Sequence, residues 1–167
     1  MIIKYVKVGV VVFPGSNCDR DVFHVLSDVF KFDTEYYWHE KHLPQKIDAV
    51  VLPGGFSYGD RLRAGAIAAH SPIISDIKKL AKNGVPILGI CNGFQILVES
   101  GLLPGVLLKN NSLNFMCKWT NLIVQNTNTS FTSKLKQGQK IPIPIANGEG
   151  RYFADKKTLS ELRDNDQ

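Results

Sequence analysis

The chain has 167 residues, 44% of them hydrophobic and 21% charged, with a formal net charge of +5. That length and apolar content suit a single domain, 1–167, with a true core, and they exclude global disorder. No apolar run approaches the ~20 residues of a membrane-spanning helix, and the opening Met1-Ile2-Ile3-Lys4 carries no secretion leader, so a soluble cytoplasmic protein is expected.

Val8 to Phe13 is a continuous apolar run that ends at Pro14-Gly15, as a buried parallel strand ends in a turn. Ser16 or Asn17 can cap a helix running to about Phe32, with Val22, Val25, Leu26, Val29 and Phe30 at helical spacing. Thr34 to Trp38 predicts a second strand and Asp48 to Leu52 a third, the latter closed by Pro53-Gly54-Gly55. Ala64 to Asn83 is mostly helical, interrupted near Ser71-Pro72, with Ile73, Ile74, Ile77 and Leu80 as its apolar stripe. Pro86 to Ile90 predicts a fourth strand and Asn92 to Ser100 a short helix. Strands alternating with helices imply a doubly wound, mostly parallel sheet with helices on both faces. Ligands bind such sheets beyond the carboxyl ends of the strands, here Pro14-Gly15, Pro53-Gly54-Gly55 and Gly89-Ile90-Cys91. After Leu103, strands are expected at Val106 to Leu108, Trp119 to Val124 and Ile141 to Ile145, then a helix from Lys156 to Arg163.

Cys18, Cys91 and Cys117 are too widely spaced for a CxxC metal or redox motif, and a disulfide scaffold is out of place in a chain with this much aliphatic core. Cys91 stands out. Gly89-Ile90-Cys91-Asn92-Gly93-Phe94-Gln95 has the form G-x-C-x-G-x-Q between an apolar strand and a helix. This is the thiol version of the nucleophile elbow, a strained turn that holds a nucleophile above the sheet. A lone cysteine is usually a small buried hydrophobe, but glycines at both flanks and the strand–turn–helix setting favour a catalytic nucleophile. The helix N-terminus is expected to lower the thiol pKa. Attack on an amide creates an oxyanion that needs backbone N–H donors. Asn92 and Gly55 are the expected donors, with Gly54 letting the backbone approach the substrate. Gln95, one turn along the helix, is expected to bind the amino-acid end of the substrate.

These residues resemble the class I glutamine amidotransferases, and within them the glutaminase subunits of phosphoribosylformylglycinamidine synthase. The likeness is carried by Pro14-Gly15-Ser16-Asn17-Cys18-Asp19, by Leu52 to Asp60, by Leu62-Arg63-Ala64-Gly65-Ala66 and by Gly89 to Gln95. Asn111-Ser112-Leu113, Cys117-Lys118-Trp119 and Gly148-Glu149-Gly150-Arg151-Tyr152 extend it over essentially the whole chain. The resemblance implies the class I amidotransferase, flavodoxin-like fold. It also implies hydrolysis of glutamine at Cys91 through a glutamyl thioester, and passage of ammonia to a large synthase subunit that makes formylglycinamidine ribonucleotide for purine biosynthesis. A small third subunit bridges the two in some members. It implies no cofactor and no metal in this subunit; ATP and Mg belong to the partner. No nucleic acid and no membrane are implied.

The chain departs from the family in two places. Family members carry a His-x-Glu base downstream of the nucleophile, whereas His24, His39, His42 and His70 all precede Cys91. Each of the four reads as a surface or packing histidine, so the catalytic His and Glu are absent and the domain is expected to lack its C-terminal portion. Asn147 stands where the family has His before Gly-Glu-Gly. Two alternatives follow: a truncated docking module without turnover, or another elbow-cysteine hydrolase, although such enzymes often carry His where Asn92 stands. A flavodoxin-like nucleotide binder ranks lower, since the first loop lacks a hydroxyl-rich phosphate cradle. From Ser100 to Gly148 there is no Asp or Glu, while Lys109, Lys118, Lys134, Lys136 and Lys140 fall there. This stretch and the loop Ser57-Tyr58-Gly59-Asp60-Arg61 are candidate docking surfaces.

Overall fold

A computed structural model of the chain describes residues 6–167; the opening segment Met1 to Lys4, read above as carrying no leader, lies outside the described residues. The chain divides into two compact units, one reaching to Leu103 and the other Pro104–Gln167.

The first unit is built on four parallel strands, β1 (Lys7–Val12), β2 (Asp33–Trp38), β3 (Ala49–Leu52) and β4 (Ile87–Gly89), in the order β2-β1-β3-β4. From β1 the chain crosses to β2 through α1 (Asp19–His24); from β3 it crosses the other way to β4 through α2 (Ile73–Lys82). Right-handed crossovers in opposite directions put these two helices on opposite faces. The register places Val8, Val10 and Val51 on one face and Val11, Val50 and Leu52 on the other, all buried. The second set joins Phe13, Ile73, Ile74, Ile77 and Leu80 in the main core, with Ile96 and Leu97 from α3 (Asn92–Glu99). Burying each such aliphatic side chain contributes roughly 1.5–3 kcal/mol. The doubly wound parallel sheet expected from the sequence is therefore present.

Two predicted helices differ. The helix expected from Ser16 or Asn17 to Phe32 is α-helical only over Asp19–His24, with Cys18 at its N-cap and no side-chain cap. Ser16 Oγ instead accepts the Phe13 N–H at 3.0 Å, closing the turn after β1. From Val25 to Val29 the helix widens to a π-turn, in which Phe30 N–H donates to Val25 O at 3.0 Å. The wider turn shifts the phase of the expected stripe, and Val25, Val29 and Phe30 are exposed. The helix expected from Ala64 begins at Ile73 after a short 3₁₀ turn, Ala68–His70. Ser71 precedes Pro72 and is extended, ψ 147°, because a residue before proline is pushed out of the helical region.

The second unit contains β5 (Val106–Leu108), β6 (Met116–Ile123), β7 (Lys140–Asn147), β8 (Arg151–Phe153) and α4 (Lys156–Asp164). β6 and β7 form an antiparallel hairpin, and β5 pairs with β8, a strand that sequence patterning did not reveal. Pro142 and Pro144 sit within β7 because the ladder is carried by the alternate residues; their nitrogens face away from β6. Buried Asn110 ties the hairpin end to the next turn: its Nδ2 donates to Asn147 O at 2.9 Å and its Oδ1 accepts from Gly150 N–H at 3.0 Å. Asp155 caps α4 by accepting the Thr158 N–H at 2.7 Å.

Candidate active site

The strand order places β1 beside β3 while their following connections leave in opposite directions, which opens a crevice at the carboxyl ends of β1, β3 and β4. The residues at those ends are Phe13 to Cys18, Pro53 to Phe56 and Ile90 to Asn92.

Cys91 is the corner between β4 and α3. Ile90 N–H donates to Leu52 O at 2.9 Å, Gly93 N–H to Ile90 O at 2.8 Å and Gln95 N–H to Cys91 O at 3.1 Å. These bonds force Cys91 to φ 50°, ψ −108°, a region that L-residues avoid, at a strain of about 1–3 kcal/mol. Glycine at 93 makes the turn possible, since a Cβ there would lie 2.0 Å from Leu52 O. Cys91, Cys18 and Cys117 are all reduced and exposed thiols.

The Gly54–Gly55 turn is held from the β1 side. Asn17 and Cys18 N–H both donate to Gly54 O at 3.1 Å, and Phe56 N–H donates to Gly15 O at 2.9 Å. These bonds flank an antiparallel bridge between Ser16 and Gly55. In such a bridge the central residue's own N–H and C=O point to the far side. For Gly55 that side is β4, where Cys91 sits. Gly55 has φ 154°, and a Cβ on it would lie 2.7 Å from Gly15 O. A Cβ on Gly54 would lie 3.5 Å from both Cys91 Cβ and Cys18 Sγ, so the bare glycine keeps the space beside the thiol open.

Asn92 contributes two groups. Its backbone N–H lies against the Cys91 sulfur and favours the thiolate. Its side chain is buried: Oδ1 accepts the Ser57 N–H at 3.0 Å and Nδ2 donates to Gln95 Oε1 at 3.0 Å. Asp60 Oδ1 lies 3.5 Å from the same Nδ2. Gln95 is thus buried beneath the elbow, bonded to Asn92. Replacing Asn92 by Ala removes the acceptor for the Ser57 N–H; a urea titration should show a loss of about 1–3 kcal/mol.

The helix N-terminus was expected to lower the Cys91 pKa, and the balance runs the other way. Partial desolvation pushes the thiol up even though the residue is open to solvent; the Asn92 N–H opposes this, and the nearby Cys18 and Asp60 add to the rise. No local spacing marks Cys18 and Asp60 as neighbours of the Cys91 thiol, although Cys18 follows one of the three strand ends expected to converge.

The four histidines are engaged elsewhere or lie on the surface. His24 pairs with Asp28 at 2.7 Å and His42 with Asp76 at 2.8 Å. His39 is buried between Phe13 and Trp38, with the Tyr58 hydroxyl 3.2 Å from its Nδ1, and burial lowers its pKa. His70 is exposed.

The CobB/CobQ-like glutamine amidotransferase domain family matches residues 5–167. Phosphoribosylformylglycinamidine synthase subunit PurQ of Salinibacter ruber is 53% identical over 161 residues, 96% of this chain and 68% of that protein. Among solved structures, PurLQS from Thermotoga maritima contains a chain with 50% identity and a TM-score of 0.86, covering 92% of this chain and 72% of that one. A glutamine amidotransferase from Thermotoga maritima shares the fold at a TM-score of 0.58 and 17% identity, over 88% of this chain and 62% of the other.

Proposed function

Because this chain belongs to the CobB/CobQ-like glutamine amidotransferase family, and within it to the PurQ subunits of phosphoribosylformylglycinamidine synthase, we propose that it releases ammonia from glutamine at Cys91. It is the glutaminase subunit of that synthase in purine biosynthesis, and its partners are the large synthase subunit and a small third subunit. The observation that carries the assignment of chemistry to Cys91 is its strained corner beside the Gly54–Gly55 turn.

In the proposed reaction, Cys91 Sγ bonds to the carboxamide carbon of glutamine. The carbonyl electron pair moves to oxygen, where the N–H groups of Gly55 and Asn92 receive it. Collapse breaks the C–N bond, the proton given up by the thiol goes to the departing nitrogen, and ammonia leaves a glutamyl thioester. Water then cleaves the thioester to glutamate and restores the thiol. Each N–H donor of this kind typically accounts for about 10²–10³ in rate. Gln95 supports the elbow through Asn92, and its contact with the substrate's amino-acid end is part of this proposal. No cofactor is required for these steps. ATP and Mg²⁺ serve the synthase subunit, and the assembly works in the cytosol.

The test is protection. Glutamine should slow alkylation of Cys91 by a diazoketone analogue of glutamine at least tenfold at saturation, while asparagine should not. Equal reaction with iodoacetamide and the analogue, with no protection by glutamine, would sink the assignment. A second reading, a subunit that docks without turnover, is favoured by the histidine positions. Ammonia release by the complex, compared with labelling of Cys91, separates the two.

A further inference from the structure

Among the described residues, one face of the β6–β7 hairpin is exposed along its length. The register puts Trp119 and Ile123 of β6 on the same side as Lys140, Pro142 and Pro144 of β7, and all five are exposed, Trp119 to 71%. Trp119 lies directly opposite Pro144. The reverse side carries Ile141, Ile143 and Ile145, each partly buried, together with exposed Lys118 and Leu122. A solvated sheet face is ordinarily polar, whereas this one has a tryptophan and two prolines at its centre. Such patches on soluble proteins mark interaction sites, and tryptophan is the residue most enriched where binding energy concentrates.

The surroundings specify what binds. Lys140 lies on this face and Lys134 and Lys136 on the connecting loop, while Lys118 lies on the reverse side, with no Asp, Glu or Arg anywhere from Ser100 to Gly148. A second copy of the chain would set lysine against lysine, which disfavours self-association. Strand addition along the outer edge of β7 is blocked because the two proline nitrogens point there and donate nothing. The partner must therefore meet the face and not the edge. We propose that this face docks the synthase subunit through an apolar surface ringed by Asp and Glu. The identity of the partner rests on the proposed function; the location and chemistry of the surface do not.

The test measures binding of the chain to the synthase subunit for wild type, Trp119→Glu and Lys134→Glu/Lys136→Glu. Each altered side chain is exposed, and circular dichroism with Cys91 labelling confirms that the variants fold. Trp119→Glu should weaken binding at least tenfold, mainly through faster dissociation. The double lysine variant should slow association and flatten its salt dependence. Wild-type affinity in Trp119→Glu, or no binding of the wild-type chain, overturns the proposal. So does a dimer, or binding of single-stranded RNA, that Trp119→Glu abolishes while binding to the synthase subunit persists. If Cys91 is labelled and protected by glutamine but the variants bind unchanged, only this inference fails; if labelling itself lacks glutamine specificity, the functional reading fails separately.

Discussion

A diazoketone analogue of glutamine is expected to alkylate the chain once, at Cys91, and to leave Cys91→Ala unmodified while Cys18→Ala reacts as before. Intact-mass measurement followed by peptide mapping reads the result. All three thiols are exposed, so access alone does not discriminate among them. What sets Cys91 apart is the strained corner, the Asn92 N–H on its sulfur and the Gly54–Gly55 backbone alongside. The pH dependence has a definite sign. The reactive species is the thiolate, and burial, with Cys18 and Asp60 nearby, holds the thiol above its usual range. Alkylation should therefore climb from about pH 6 to about pH 9 and keep climbing beyond the pH at which an ordinary thiol levels off. A rate flat across that range would mean an already ionised sulfur and would overturn the burial argument. Because His24 and His42 pair with other carboxylates, His39 is packed among aromatic rings and His70 is exposed, the isolated chain should turn over free glutamine far more slowly than the ~10 s⁻¹ typical of enzymes. Ammonia release at an ordinary enzymatic rate would refute that.

The largest stability effect is expected at Gly93. An alanine Cβ would lie 2.0 Å from Leu52 O and 2.6 Å from Leu52 C, both backbone atoms of a central strand. No side-chain rotation relieves such an overlap; α3 must lift from β3, taking Ile96 and Leu97 out of the core. Overpacking costs about 1–3 kcal/mol where side chains can give way, so a backbone overlap should exceed this and reach about 4 kcal/mol. Urea unfolding followed through Trp38, which lies in β2, reports on this unit. Gly148→Ala is the control: its nearest neighbour would be Phe115 Cδ2 at 3.8 Å, and the midpoint should barely move. A Gly93→Ala midpoint equal to that of the control would show that the turn is looser than its hydrogen bonds indicate.

Local patterning reached a long way in this protein. Unbroken Val-rich runs cannot be solvated on either side, so β1 and β3 read as buried parallel strands before any pairing was known. Gly89 and Gly93 on either side of Cys91 marked the elbow because a tight strand-to-helix turn has no room for Cβ. Ile73, Ile74, Ile77 and Leu80 marked the buried face of α2. The helix after β1 was overextended in the reading because periodicity registers spacing and not the change to i→i+5 bonding at Val25, which rotates Val29 and Phe30 into solvent. β8 is three residues long, too short to show an alternation.

What the sequence alone determined is the parallel sheet and the elbow at Cys91, because each follows from residue types within a few positions of one another. The tertiary structure decided that Cys18 and Asp60 lie beside the Cys91 thiol, that Asn17 and Cys18 hold the Gly54 carbonyl, that Asn92 bonds Ser57 and Gln95 beneath it, and that the thiol is raised in pKa. These depend on residues tens of positions apart meeting where the strand order reverses. Electrostatics follows distance in space, which no spacing along the chain encodes.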